Sequence, residues 1–184
     1  MTPCQKEMKM AKDILTRIKT EKKQNLKAAL IDEFSVYSIA DAQVARIVAQ
    51  ANISRGSFYT YFEDLYDAYE WVLELVMTEI HHDQVVNPFE ATIRFIAGIE
   101  VNPYYDFLKK YYQVNESLFN TYLSHKATTN FATHTKQNLD TKLWLEMLVS
   151  HESIKEAFLQ PDNTDQIINR LTTVQDLLNQ KEGQ

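Results

Sequence analysis

Glycine is nearly missing from this chain: 3 residues of 184, about 1.6%, where average usage is about 7%. Sandwiches, barrels and doubly wound sheets need glycine at hairpins, bulges and phosphate loops, so these classes are excluded. Neither G-x-G-x-x-G nor G-x-x-x-x-G-K-[ST] can be written from Gly56, Gly98 and Gly183. One cysteine, Cys4, forbids an intramolecular disulfide framework and any C-x-x-C zinc or redox site. It reads as an exposed thiol without a structural duty. No apolar run approaches the roughly 18–20 residues of a membrane span, and Met1–Lys12 lacks the apolar core of a secretory signal. The expected compartment is therefore the cytoplasm. A formal charge of −6 argues, on its face, against a polyanionic partner.

What is present is helical periodicity. Leu26, Ala29, Leu30 and Phe34 form one apolar stripe on a helix expected over residues 20–37. Val44, Ile47, Val48 and Ala51 repeat the spacing, with Asp41 as the expected N-cap. Asn52, which tolerates left-handed backbone, ends this second helix. Ser54 offers an N-cap hydroxyl to a third helix, in which Phe58, Tyr61, Phe62 and Leu65 resume an apolar spacing. Longer helices are expected over residues 65–86, 88–99, 103–113, 116–125, 128–159 and 163–180. Pro88 and Pro103 stand as first-turn prolines, and Ser150-His151 is a point where 128–159 could break. The expected architecture is all-α. A three-helix N-terminal module (residues 1–63) is joined by a continuous helix to a helical body (64–184).

The charge is divided along the chain. Residues 1–62 hold ten Lys/Arg against six Asp/Glu, a net of +4. Residues 63–184 hold nine against nineteen, a net of −10, and the two together make the −6. A basic end suits a polyanion, although a solvated lysine-rich terminus would read the same way. The second and third short helices, joined by a tight turn, make a helix-turn-helix. Ser54 caps the third helix and leaves N–H groups at the positive end of its dipole, where a phosphate can bind. Gly56 lets the backbone approach a surface closely. Arg55, Ser57 and Thr60 lie away from Phe58 and Phe62, toward base edges if the helix enters a major groove. Tyr59 and Tyr61 carry hydroxyls that can reach phosphate oxygens.

The stretch from Val44 to Phe62, VARIVAQANISRGSFYTYF, resembles the signature of the TetR/AcrR family of bacterial transcriptional regulators. That pattern is loosely V-x-x-I-A-x-x-A-G-V-S-x-G-[ST]-[LF]-Y-x-[HY]-F, and the nine residues between Phe34 and Val44 match it without a gap. The specific resemblance covers about residues 22–70. It implies that Ser54, Arg55, Gly56 and Ser57 meet DNA at the start of the recognition helix. Tyr59 and Tyr61 would contact phosphate and Thr60 would face bases. Gln43 stands where a threonine usually caps the second helix and touches a phosphate, Asn52 replaces the usual turn glycine, and Leu65 stands where a lysine is common. The resemblance further implies a palindromic DNA operator, a homodimer built from the last two long helices, and a small-molecule effector in the body. The expected function is a ligand-responsive repressor.

Seven aromatics fall between Tyr104 and Tyr122: Tyr104, Tyr105, Phe107, Tyr111, Tyr112, Phe119 and Tyr122. Such residues line pockets and equally fill helical cores. The candidate pocket walls are Phe95, Tyr104, Phe107, Tyr111, Tyr122, Trp144 and Met147. Ile167, Leu171, Val174 and Leu178 recur at a period of 3.5, typical of helix seams. With Leu139 and Leu143 they form the candidate dimer interface, although one stripe could cover its own subunit. A body that binds a protein or peptide instead of a small molecule stays open as the alternative. No cofactor, metal or catalytic role is expected. His81-His82-Asp83 has a metal site's letters, but adjacent histidines on a helix point about 100° apart. The basic arm, with Lys6, Lys9, Lys12, Arg17, Lys19, Lys22 and Lys23, is expected to add phosphate attraction. Deletion of residues 1–19 should therefore flatten the salt dependence of DNA binding, measured as the slope of log affinity against log salt; an unchanged slope would contradict this role.

Overall fold

The computed structural model describes residues 15, 18–80, 87–127 and 140–180. Among them every regular element is helical. The elements are α1 (Thr20–Val36), α2 (Val44–Gln50), α3 (Arg55–Tyr61), α4 (Leu65–Ile80), α5 (Pro88–Ala97), α6 (Tyr105–Lys110), α7 (Glu116–Ala127), α8 (Thr141–Leu159) and α9 (Thr164–Gln180). Short 3₁₀ turns occupy Ile99–Val101 and Pro161–Asn163, and a π turn spans Tyr111–Asn115. No helix among the described residues is long and apolar enough to cross a membrane.

Local chemistry accounts for the helix ends. Asn87 caps α5 by accepting from the Phe89 and Glu90 amides, with Pro88 in the first turn. Asp64 and Asp67 cap α4 reciprocally: the Asp67 amide donates to Asp64 Oδ1, and the Glu63 amide donates to Asp67 Oδ2. Two expectations change. Pro103 lies in a turn ahead of α6, closed by the Tyr104 amide donating to Asn102 Oδ1 at 2.8 Å. The helices expected over 103–113 and 116–125 run into one another through the π turn at Tyr111–Asn115. α8 passes through Ser150-His151 without a break.

The chain groups into two compact units, Met1–His82 with Val114–Tyr122, and Asp83–Gln113 with Leu123–Gln184. In the first, α1 packs on α2 and α4, and α2 on α3. The expected stripe of Leu26, Ala29, Leu30 and Phe34 is wholly buried, as are Ile47, Phe58, Phe62 and Val72 of the same unit. Tyr69 of α4 is the aromatic hub, meeting Phe34 edge-on at 4.9 Å between centroids and Phe119 at 5.6 Å. The packing thus groups α4 with the N-terminal helices. What each stretch binds is a separate matter.

In the second unit α5, α8 and α9 pack on one another, and α6 on α8. Its centre is Phe158, fully buried, with Phe95, Tyr105 and Tyr112 around it at centroid distances of 6.2, 5.6 and 5.3 Å. Four rings converge on one point, so truncation there leaves a large void. Phe158→Ala should cost about 3–5 kcal/mol, read as a lowered urea midpoint for this unit.

Candidate nucleic-acid interface

The helix-turn-helix is built from three locally determined parts. α2 ends in a paired-bond C-cap. Asn52 adopts φ 51°, the Ile53 amide donates to the Val48 carbonyl at 3.0 Å, and the Asn52 amide donates to Ala49 at 3.4 Å. Asn52 therefore fills the left-handed position that glycine would favour. Ser54 then caps α3, its Oγ accepting from the Ser57 amide at 3.0 Å. Phe58 and Phe62 anchor the helix beneath, with rings 5.2 Å apart.

The outer face of α3 is open to solvent. Ser54, Arg55, Gly56, Tyr59 and Thr60 are exposed, and Ser57 is half-buried. The Arg55 guanidinium lies 5.8 Å from the Tyr59 ring centre, and the Thr60 hydroxyl donates to the Gly56 carbonyl at 3.0 Å. A Cβ built on Gly56 would meet nothing among the described residues nearer than Ser54 Oγ at 3.8 Å, so none of those neighbours demands glycine. Tyr61 keeps the apolar spacing expected with Phe58 and Phe62. It sits three residues after Phe58 on the inner face and is 8% exposed, so its ring belongs to the core and not beside Tyr59. Lys22 of α1, at 5.6 Å from the Tyr61 ring, brings a cation to that side of the module.

The start of α2 is held differently from the sequence expectation. Asp41 does not cap it; the Asp41 carboxylate accepts from the Ser38 hydroxyl at 2.5 Å instead. Gln43 is the N-cap residue and offers no side-chain cap bond. The acceptor comes from α1: buried Glu33 takes the Gln43 amide at 2.7 Å and the Arg46 guanidinium at 2.5–3.0 Å. Arg46 also donates to the Asp41 carbonyl and lies 3.8 Å above the Tyr37 ring centre. Its hydrogen bonds to Glu33 raise its pKa above the ordinary arginine value, against the lowering effect of burial. The guanidinium thus stays charged at any physiological pH. Gln43 is exposed, its amide N–H committed to Glu33. Sequence reading missed Glu33 and Arg46; the signal was a carboxylate at i+7 from Leu26 and i+3 from Leu30, inside the apolar stripe.

The other candidate residues are scattered. Phe95, Tyr104, Phe107 and Tyr111 belong to the second unit, with Phe107 fully buried and the others half-buried. Tyr122 belongs to the first, stacked on Tyr66 at 4.6 Å. Trp144 and Met147 are 53% and 51% exposed on α8, beside exposed Leu143 and Leu148. Ile167 and Leu171 are buried within their own chain, Val174 and Leu178 are half-buried, and Leu139 lies outside the described residues. So do Cys4, His81, His82, Asp83 and the arm residues before Lys19. Among the described residues no three His, Cys, Asp or Glu side chains gather as a metal site would require.

An all-helical chain carrying a helix-turn-helix in its first unit is the class this fold defines. No protein-family model matches the chain, and no curated protein matches it. Among solved structures, a TetR family transcriptional regulator from Chloroflexus aurantiacus J-10-fl is similar over 92% of this chain and 96% of that one, with 17% identity and a TM-score of 0.46.

Removing the Glu33 carboxylate would leave the Gln43 amide and a half-buried guanidinium without their acceptor. Glu33→Ala should lower stability by about 2–4 kcal/mol in urea unfolding. Glu33→Gln keeps an acceptor and should lose less.

Proposed function

We propose that this chain is a DNA-binding transcriptional regulator and not an enzyme. In this reading it binds a palindromic operator as a homodimer and acts as a ligand-responsive repressor in the cytoplasm. The observation that carries it is the two-faced recognition helix. Phe58 and Tyr61 are spent on the core, while Ser54, Arg55, Gly56, Tyr59 and Thr60 present a donor-rich outer face with a glycine that the fold does not need. Glycine inside a helix costs about 1 kcal/mol relative to alanine. That cost is understandable where another surface must come close. α3 has seven residues, about 10 Å of helix, a length the major groove admits. The resemblance of Val44–Phe62 to the TetR/AcrR signature supports the same docking.

In this docking Arg55 reads a base edge or a phosphate, Thr60 and Ser57 face bases, and Tyr59 fixes register on the backbone. Gln43 reaches a phosphate with its side chain. So short a helix reads few bases, which is why a two-fold pair on a palindrome is part of the proposal. The exposed apolar run of Leu143, Trp144, Met147 and Leu148 on α8 supports pairing with a second copy. An effector in the body would act by preferring the conformer that does not bind DNA. A coupling of about 1–3 kcal/mol changes affinity roughly 5- to 150-fold.

The full chain should select a palindromic sequence from random duplex DNA. Arg55→Ala and Tyr59→Ala should each weaken binding at least tenfold with the fold and the dimer intact. Gly56→Ala should stabilise the protein by about 0.5–1 kcal/mol and still weaken DNA binding. Wild-type affinity in all three variants would refute the docking.

A further inference from the structure

Asn115 closes the π turn and is fully buried. Its Oδ1 accepts from the Ile39 amide at 2.9 Å, a bond that spans 76 residues of sequence inside the first unit. Ile39 lies in the loop between α1 and α2 and is itself 1% exposed, so its N–H is out of reach of water. The Ile39 donor also fixes which way the amide points: oxygen toward the loop, nitrogen away. Among the described residues that nitrogen, Asn115 Nδ2, has no hydrogen-bond partner. A hydrocarbon side chain here would leave the buried Ile39 N–H without an acceptor. What Asn115 supplies is an acceptor at one point of one loop.

We infer that Asn115 is a positioning residue of the DNA-reading module, latching the α1–α2 loop so that α2, and α3 packed on it, keep their place. The inference rests on the regulator reading for its functional part. The loop from Tyr37 to Gln43 is tied at its far end by the Gln43 amide to Glu33, within α1 and α2 themselves. Asn115 ties its middle from a segment of the chain remote from both. The residues that follow it hold the same unit, through Phe119 against Tyr69 and Tyr122 against Tyr66. The π turn sets the latch. A helix register change of one residue turns a side chain by about 100° and carries the amide away from Ile39.

The test uses the full-length chain with two substitutions on this segment. Asn115→Ala removes the acceptor, and Phe119→Leu, one turn later, trims the core while leaving the Ile39 acceptor in place. Native-state amide exchange at Ile39, global stability in urea and affinity for the selected DNA are measured on each. In Asn115→Ala the Ile39 amide should exchange at least tenfold faster relative to the buried amides of α1. DNA affinity should fall about tenfold, beyond any loss seen in Phe119→Leu of matched stability. Ile39 protection equal to wild type in folded Asn115→Ala, or DNA affinity no lower than in Phe119→Leu, would overturn the inference. If the wild type selects no DNA, the regulator reading fails and takes the functional half of this inference with it. The exchange rate at Ile39 still decides, by itself, whether the latch exists.

Discussion

The carboxylate of Glu33 sits on the inner face of α1, 5% exposed, and collects the Gln43 amide together with the Arg46 guanidinium. A charge so far from water is tolerated only when its lone pairs are satisfied. Here the partners come from the first turn of α2, so the electrostatic need of one side chain sets where that helix begins. The left-handed turn at Asn52 follows, and from it the start of α3 at Ser54. Glu33 thus ties the start of the helix-turn-helix to α1.

α3 could not exist alone. Seven residues fall well short of the length at which an isolated helix holds in water. Its stability is borrowed from the Ser54 cap and from Phe58 and Tyr61 beneath. Because those groups carry the fold, the outer residues are released from structural work. That division of labour explains why the exposed face holds an arginine, a tyrosine and a glycine in close succession. The acidic start of α4 belongs to the same logic, since Asp64 and Asp67 serve its cap.

Much of this was legible in the linear pattern. The stripe of Leu26, Ala29, Leu30 and Phe34 marked α1 and its buried face. Asn52, Ser54 and Pro88 announced their helix ends, because caps and left-handed turns are set by one or two residues. Tyr61 was read both into the apolar stripe with Phe58 and as a phosphate contact, and its ring lies in the core. A tyrosine's hydroxyl suggested the surface, and helical geometry prevailed. The Asp41 cap was a local guess that a distant carboxylate supplanted. Glu33, Arg46 and Asn115 went unread, because a hydrogen bond to a residue far along the chain leaves no periodic trace.

From the sequence alone came the all-helical class, forced by three glycines and pervasive 3.6-residue periodicity, and the presence of a helix-turn-helix between a basic end and an acidic remainder. Those are consequences of local backbone preference and of counting charge. Tertiary structure alone decided which polar groups are buried, and therefore what holds the module in place. It also left Trp144 and Met147 exposed while burying Ile167 and Leu171. The reason is physical. Periodicity says which residues share a face, whereas burial depends on which other faces arrive to cover it.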